Sequence, residues 1–249
     1  MNDVINTILN HRSIRKFQDV PLSRDQIITI VESAQMASTS SYIQSYTIIG
    51  VKNPATKSRL REFSGNQSYV ENNGHFFVFC ADLQRHKLAG DMENVDVLAS
   101  LETTEKFMVS LIDASLAAQN AALAAESMGL GICYIGGIRN EMEGVSKLLK
   151  LPEYVIPLFG LAVGVPAAET EIKPRLPLEN IYHEETYQQN KAEFKDQLEE
   201  YNRVISTYYQ RRTNGKRSDR WTEQIANMLK TPKRTQMKKF VQQKGFMKR

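Results

Sequence analysis

His75-Phe76-Phe77-Val78-Phe79-Cys80-Ala81 is the stretch that decides the fold. A strand with one wet face alternates apolar and polar residues, and this run does not alternate. It therefore reads as a strand covered on both faces. Pro157–Val165 (PLFGLAVGV) is a second run of the same kind, while Tyr46–Val51 is β-rich and Ile132–Ile135 is a short strand ending in Gly136-Gly137. The long segment Thr103–Met128 has a helical pattern whose middle, Ala114–Ala125, is mostly alanine. Small side chains let elements approach closely, which places this helix at the centre of a core or of a dimer interface. Gly129 is positioned to terminate it.

Further out, Ser23 and Gln26 form a capping box that opens a helix carrying Ile27, Ile30, Val31 and Ala34. Asn53-Pro54 starts another helix, and Asn140 and Glu143 are expected to cap one that ends near Lys150. Val4, Ile5, Ile8 and Leu9 mark a short N-terminal helix, and the chain after about Glu184 reads as helical and polar through Tyr209. Strands and helices are interspersed without a regular βαβ rhythm. The expected class is α+β, a mixed sheet sandwiched between helices.

The 249 residues are 41% hydrophobic and 24% charged, an ordinary globular balance. No apolar run approaches the roughly 20 residues needed to span a bilayer, and the N-terminus lacks a secretory pattern. Cys80 and Cys133 stand 53 apart, outside any metal spacing, so both read as buried thiols in a reducing cytoplasm. Charge is unevenly spread. Arg211–Arg249 holds 13 Lys and Arg against Asp219 and Glu223, a local +11; with a total of +4, the first 210 residues carry −7. A basic tail on an acidic body suits nucleic acid, an anionic cofactor or the body itself.

Three segments carry possible chemistry. His11-Arg12-Ser13-Ile14-Arg15, with Lys16 adjacent, offers cations and a hydroxyl suited to a phosphate, or else a solvated basic helix end. Tyr134-Ile135-Gly136-Gly137 ends a strand with backbone open to a ligand, or simply turns. Lys173-Pro174-Arg175-Leu176-Pro177 holds two cations on a stiff stretch, pointing to one side as if around an anion, or else is a solvated loop. The chain contains no GxGxxG and no nucleophile or metal motif.

Taken together, HRSIRKF, the Ser38–Ser41 cluster with Gln44, Gly65-x-Gln67, AAESMGLGxxYIGGIRN, PLFGLxVGxP and KPRLP resemble the FMN-dependent NAD(P)H nitroreductase and flavin reductase family. The order and spacing match its larger, NADPH-preferring, oxygen-insensitive subgroup, strongly over residues 1–187. The resemblance implies an intertwined homodimer with FMN at the subunit interface. It also implies a 1–187 core and a helical, basic extension, 188–249, within the same domain. His11, Arg12, Ser13, Arg15, Lys173 and Arg175 would bind FMN, Arg15 beside the N1/O2 edge of the ring. Ser38, Thr39, Ser40, Ser41 and Gln67 would meet the ribityl chain or pyrimidine edge, with Tyr134, Ile135, Gly136 and Gly137 along the N5 side. Arg212 and Arg217, in a loop around 208–221, would recognise the 2′-phosphate of NADPH, with NADH also possible as donor.

No side chain is expected to act as acid or base, because the redox chemistry would be the cofactor's. The implied reaction is ping-pong, two-electron reduction of nitroaromatics, quinones or free flavin by a cytoplasmic enzyme without metal, membrane or nucleic-acid partners. Disulfide or azo reduction, or flavin supply to a partner enzyme, are sister activities on the same fold. The reading from another class is a nucleic-acid or anion-binding protein acting through 211–249, against which the absence of a zinc spacing or RNP-like motif counts.

Overall fold

Neighbouring residues of the 75–82 strand serve two different cores. The computed structural model of the chain describes residues 2–168 and 170–249. In chain order, α1 (Asp3–Leu9) and α2 (Arg24–Gln35) precede β1 (Tyr46–Val51), and α3 (Pro54–Phe63) and α4 (Ser68–Glu71) lead to β2 (His75–Asp82). Then α5 (Gln84–Glu93), α6 (Leu98–Leu101) and α7 (Thr104–Ser127) lead to β3 (Gly131–Ile135), and α8 (Met142–Leu148) to β4 (Val155–Gly164). Three helices follow, α9 (Lys191–Arg212), α10 (Trp221–Leu229) and α11 (Met237–Gln243).

The sheet order is β1-β2-β4-β3 with every neighbouring pair antiparallel. The parallel contribution expected of a mixed sheet is confined to an isolated bridge between Ser13 and Ile132. Phe77 and Phe79 pack with Leu161 and Val163 towards α2 and the alanine face of α7. Phe76, Val78 and Cys80 face the other way, into Leu60, Val70 and Val145 of α3, α4 and α8. All eight positions of β2 are buried, as a strand between two helical layers requires.

The stripe Ala114, Ala117, Ala118, Ala121, Ala122 and Ala125 forms the buried face of α7. By length and mean hydropathy this is a helix that could cross a membrane, and here it is packed against α2 and the sheet. Its opposite side exposes Met108, Ile112 and Leu116, each about half accessible. The helix ends at Gly129, whose φ of +75° carries the turn into β3.

The chain divides into two compact units, Met1–Thr170 with Arg234–Arg249, and Glu171–Lys233. The boundary thus falls earlier than 187, and the basic C-terminus rejoins the first unit. There Phe246 is fully buried among Leu83, Leu101, Tyr154 and Ile156. Gly245 makes this docking possible: its φ is +94°, and a Cβ would lie 2.4 Å from the Tyr154 ring. Lys248 and Arg249 both pair with Glu102, and Lys244 donates to the carbonyls of Leu151 and Pro152.

The expected cap at Asn140 is corrected. The helix begins at Met142 after Glu141, without a side-chain cap, because Asn140 Oδ1 instead accepts from Arg234 Nε at 2.9 Å. In the second unit α9 starts at Lys191 under an Asn190 cap, later than 184, and Tyr201, Ile205, Tyr208 and Tyr209 pack with Leu176 and Trp221.

Candidate functional site

The segment His11–Arg15 runs beside β3. Ile14 N–H donates to Ile132 O at 2.8 Å, and the Ile14 side chain is buried against Gly131, where a Cβ would collide with it at 2.6 Å. With Ile14 turned inward, Arg15 and Lys16 are left exposed, and among the described residues neither has a carboxylate partner. Arg15 is near enough to moderate the Cys133 thiol, which burial pushes up. Arg12 donates to Asn10 O, whereas His11 Nδ1 is bonded to Glu126 Oε1 at 2.7 Å. A cleft of about 520 Å³ opens here, lined in part by Asn10, Arg12, Glu126 and Gly131.

β3 delivers Tyr134–Gly137. Tyr134 is partly exposed and meets Phe159 edge-on, while Ile135 is buried. A 3₁₀ helix starts at Gly136, so its first amides lack intrahelical acceptors. Gly137 touches the backbone of Ser64: a Cβ there would lie 2.6 Å from Ser64 O. Ser64 Oγ and Gln67 Oε1 are both buried without a hydrogen-bond partner. The left-handed Gly65 and Asn66 make the turn that brings Gln67 to the start of α4.

The loop containing Ser38–Ser41 is anchored elsewhere on α7, at Asp113, which accepts from Ser40 N–H at 3.1 Å. Glu126, the anchor of His11, is thirteen residues further along that helix. At 1.5 Å per residue the two anchors are about 20 Å apart.

In the second unit the cations settle on tyrosines. Lys173 Nζ donates to Tyr209 OH at 3.0 Å, and Arg217 lies 4.4 Å from the centre of the Tyr209 ring while pairing with Asp219. Burial pushes the Tyr209 phenol up, but the Lys173 hydrogen bond and the charges of Lys173 and Arg217 outweigh it, and its pKa is lowered. Arg175 donates to the Lys173 carbonyl at 3.1 Å, and its side chain is exposed. Arg212 stacks on Tyr208 and bonds its hydroxyl at 2.9 Å, leaving the guanidinium exposed and without a carboxylate partner among the described residues. The expected loop at 208–221 is helical as far as Arg212.

Sequence reading passed over Glu126, Ser64 and Asp113. Asp113 had a visible signal, a lone acid on an otherwise apolar helix face; the other two show only in the fold. Among the described residues no cluster of three or more His, Cys, Asp or Glu could hold a metal. In the tail offered as a nucleic-acid element, Arg234, Lys244, Lys248 and Arg249 each bond to Asn140, Leu151 or Glu102 of the first unit.

Comparison with known proteins places the whole chain. The chain is 56% identical over 248 residues to FMN reductase (NADPH) of Bacillus subtilis, covering all of both chains. The structure of B. megaterium NfrA1 superposes with a TM-score of 0.98 at 65% identity, covering 99% of this chain and 100% of that one. The NADPH:FMN oxidoreductase from Vibrio harveyi complexed with NAD+ gives 0.90 at 38% identity over the full length of both. Residues 8–165 match the model of the nitroreductase family and residues 173–249 that of its C-terminal domain, and the chain belongs to the nitroreductase family.

Proposed function

We propose that this protein is an FMN-dependent NADPH oxidoreductase that passes two electrons to nitroaromatics, quinones or free flavin in a ping-pong cycle. The observation that carries the reading is the surround of Gly136-Gly137. Open backbone at the start of the 3₁₀ helix and the exposed Arg15, without a carboxylate partner among the described residues, supply amide donors and a positive charge that a flavin needs.

FMN, when bound, supplies the two-electron carrier between NADPH and the acceptor. The chain's part is to hold and tune. Arg15 places positive charge at the N1/O2 edge, favouring the reduced, anionic ring. His11, Arg12, Ser13, Lys173 and Arg175 bind the phosphate end and its surroundings, with His11 held by Glu126. Gln67 and the Ser38–Ser41 hydroxyls take the ribityl chain and pyrimidine edge. Tyr134 and Ile135 wall the site, and the Gly136 and Gly137 amides face the N5 side. Arg212 and Arg217 take the 2′-phosphate of NADPH, with Tyr208 and Tyr209 beneath them.

The working form in this reading is a homodimer. Met108, Ile112 and Leu116 on α7, and Val4, Ile5, Ile8 and Leu9 on α1, are large apolar side chains left exposed. Strand β1 is also an open edge. In this reading each Ser38–Ser41 loop, anchored about 20 Å along α7 from the His11 anchor, serves the flavin of a second copy. The enzyme works in the cytoplasm, where NADPH is made and where the unpaired Cys80 and Cys133 stay reduced.

Anaerobic addition of NADPH to the purified protein tests the reading. A flavin absorption band that bleaches on addition is expected. A colourless protein that takes up no added FMN would contradict it.

A further inference from the structure

Asp113 is fully buried in the middle of α7, and among the described residues it has no cationic partner. Its carboxylate is used entirely on one loop. Oδ1 accepts from Ser40 N–H at 3.1 Å, and Oδ2 accepts from Ser45 N–H at 3.0 Å and Ser45 Oγ–H at 2.8 Å. Between these two contacts the backbone takes a path that L-residues avoid: Ser41, Tyr42 and Gln44 have φ of 48°, 59° and 52°. Three left-handed non-glycine residues within four positions persist only where the surroundings over-determine them. The surroundings here are Asp113 from α7 with Arg85 and His86 from α5. Arg85 donates to Gln44 O, and a His86 ring nitrogen lies 2.6 Å from Ile43 O.

The consequence is directional. Because the amides of Ser40 and Ser45 turn inward to the carboxylate, Ser38, Ser40 and Ser41 are left exposed and Tyr42 is 82% accessible. A neutral side chain could not do the same. An amide at 113 presents one acceptor oxygen and one NH₂, so either Ser40 N–H or the Ser45 pair would face a donor.

We propose that Asp113 is a positioning residue for the flavin: it never touches FMN, but shapes the 38–45 loop that does. The proposal rests on the reading that this loop contacts FMN. FMN titration of apoprotein by fluorescence quenching, together with the visible circular dichroism of bound flavin and the Tm, tests it in four proteins: wild type, Asp113→Asn, Ser45→Ala and Ala121→Gly. The last loosens the same helix without touching the loop. The expected result is an FMN Kd raised at least tenfold in Asp113→Asn with an altered flavin dichroism. Ser45→Ala, which removes only the Oγ bond, should fall between it and wild type. Ala121→Gly should lose Tm while keeping the wild-type Kd and dichroism. If Asp113→Asn does not fold, a several-fold rise in Ser45→Ala carries the proposal. An Asp113→Asn Kd within twofold of wild type overturns it, as does an equal rise in Ala121→Gly or, where Asp113→Asn does not fold, an unchanged Kd in Ser45→Ala. Wild-type apoprotein that takes up no FMN would instead remove the reading beneath the proposal.

Discussion

The two units present polar groups in different ways. In the first, backbone sets the site: Ile14 is stitched to β3, Gly137 lies against Ser64, and the 38–45 loop is tied to a buried carboxylate. In the second, side chains do it: Lys173 and Arg217 gather at Tyr209 and Arg212 at Tyr208, with both arginines exposed. A frame of buried backbone contacts cannot rearrange without local unfolding, whereas a stacked guanidinium can swing. The difference matches what each is proposed to hold, a resident cofactor in one case and a donor that must leave every cycle in the other.

The largest effect expected is on the rigid unit in acid. His75 opens β2 buried, with Nε2 unpartnered, and burial, then the charges of Lys57 and Lys52, lower its pKa from 6.5 to about 4. A folded-state pKa below the unfolded value means that the unfolded chain binds the proton first. The first unit therefore keeps its full stability above pH 6.5 and loses up to roughly 3 kcal/mol as pH falls towards 4. Denaturant melts across that range should show the slope in wild type, and a reduced slope in His75→Phe.

Next comes Arg15→Ala. Loss of one charge-assisted contact should weaken FMN binding roughly 50-fold, measured by equilibrium dialysis, or lower the flavin midpoint potential. Unchanged affinity and potential together would remove Arg15 from the ring edge. Gly137→Ala places a methyl group against Ser64 O and should cost about 2 kcal/mol of stability in urea melts, with FMN lost in parallel. The smallest effect belongs to the adaptable unit: Arg212→Ala should raise the KM for NADPH roughly tenfold and that for NADH much less. Equal effects on the two donors would end the 2′-phosphate assignment.

Much of the first unit was legible in the sequence because its signals are local. The unbroken run 75–81, the Ser23–Gln26 box and the alanine stripe each carry their own reason, and each forms the element expected. The sheet's antiparallel order was not legible, since periodicity reports burial and not strand direction. The Glu126–His11 and Asp113–Ser45 bonds join residues 115 and 68 positions apart, which no motif spacing records. That Lys173 also donates to the Tyr209 hydroxyl, 36 positions away, is likewise invisible in the spacing of Lys173 and Arg175. The body was one of three partners that charge offered the tail, and charge alone did not show that buried Val241 and Phe246 anchor its end.

A mixed-dimer experiment tests the central claim, a flavin site assembled from two chains, most directly. Arg15→Ala and Ser41→Pro each spoil one half of the site, the latter because proline cannot adopt the φ of 48° at Ser41. Each variant alone should bind FMN poorly. If the loop serves the partner's flavin, a heterodimer of the two has one site with both defects and one with none. An equal mixture should then recover about a quarter of wild-type FMN sites in a two-fold dimer, each bleached by NADPH. No recovery, with heterodimers shown to form, would contradict the account.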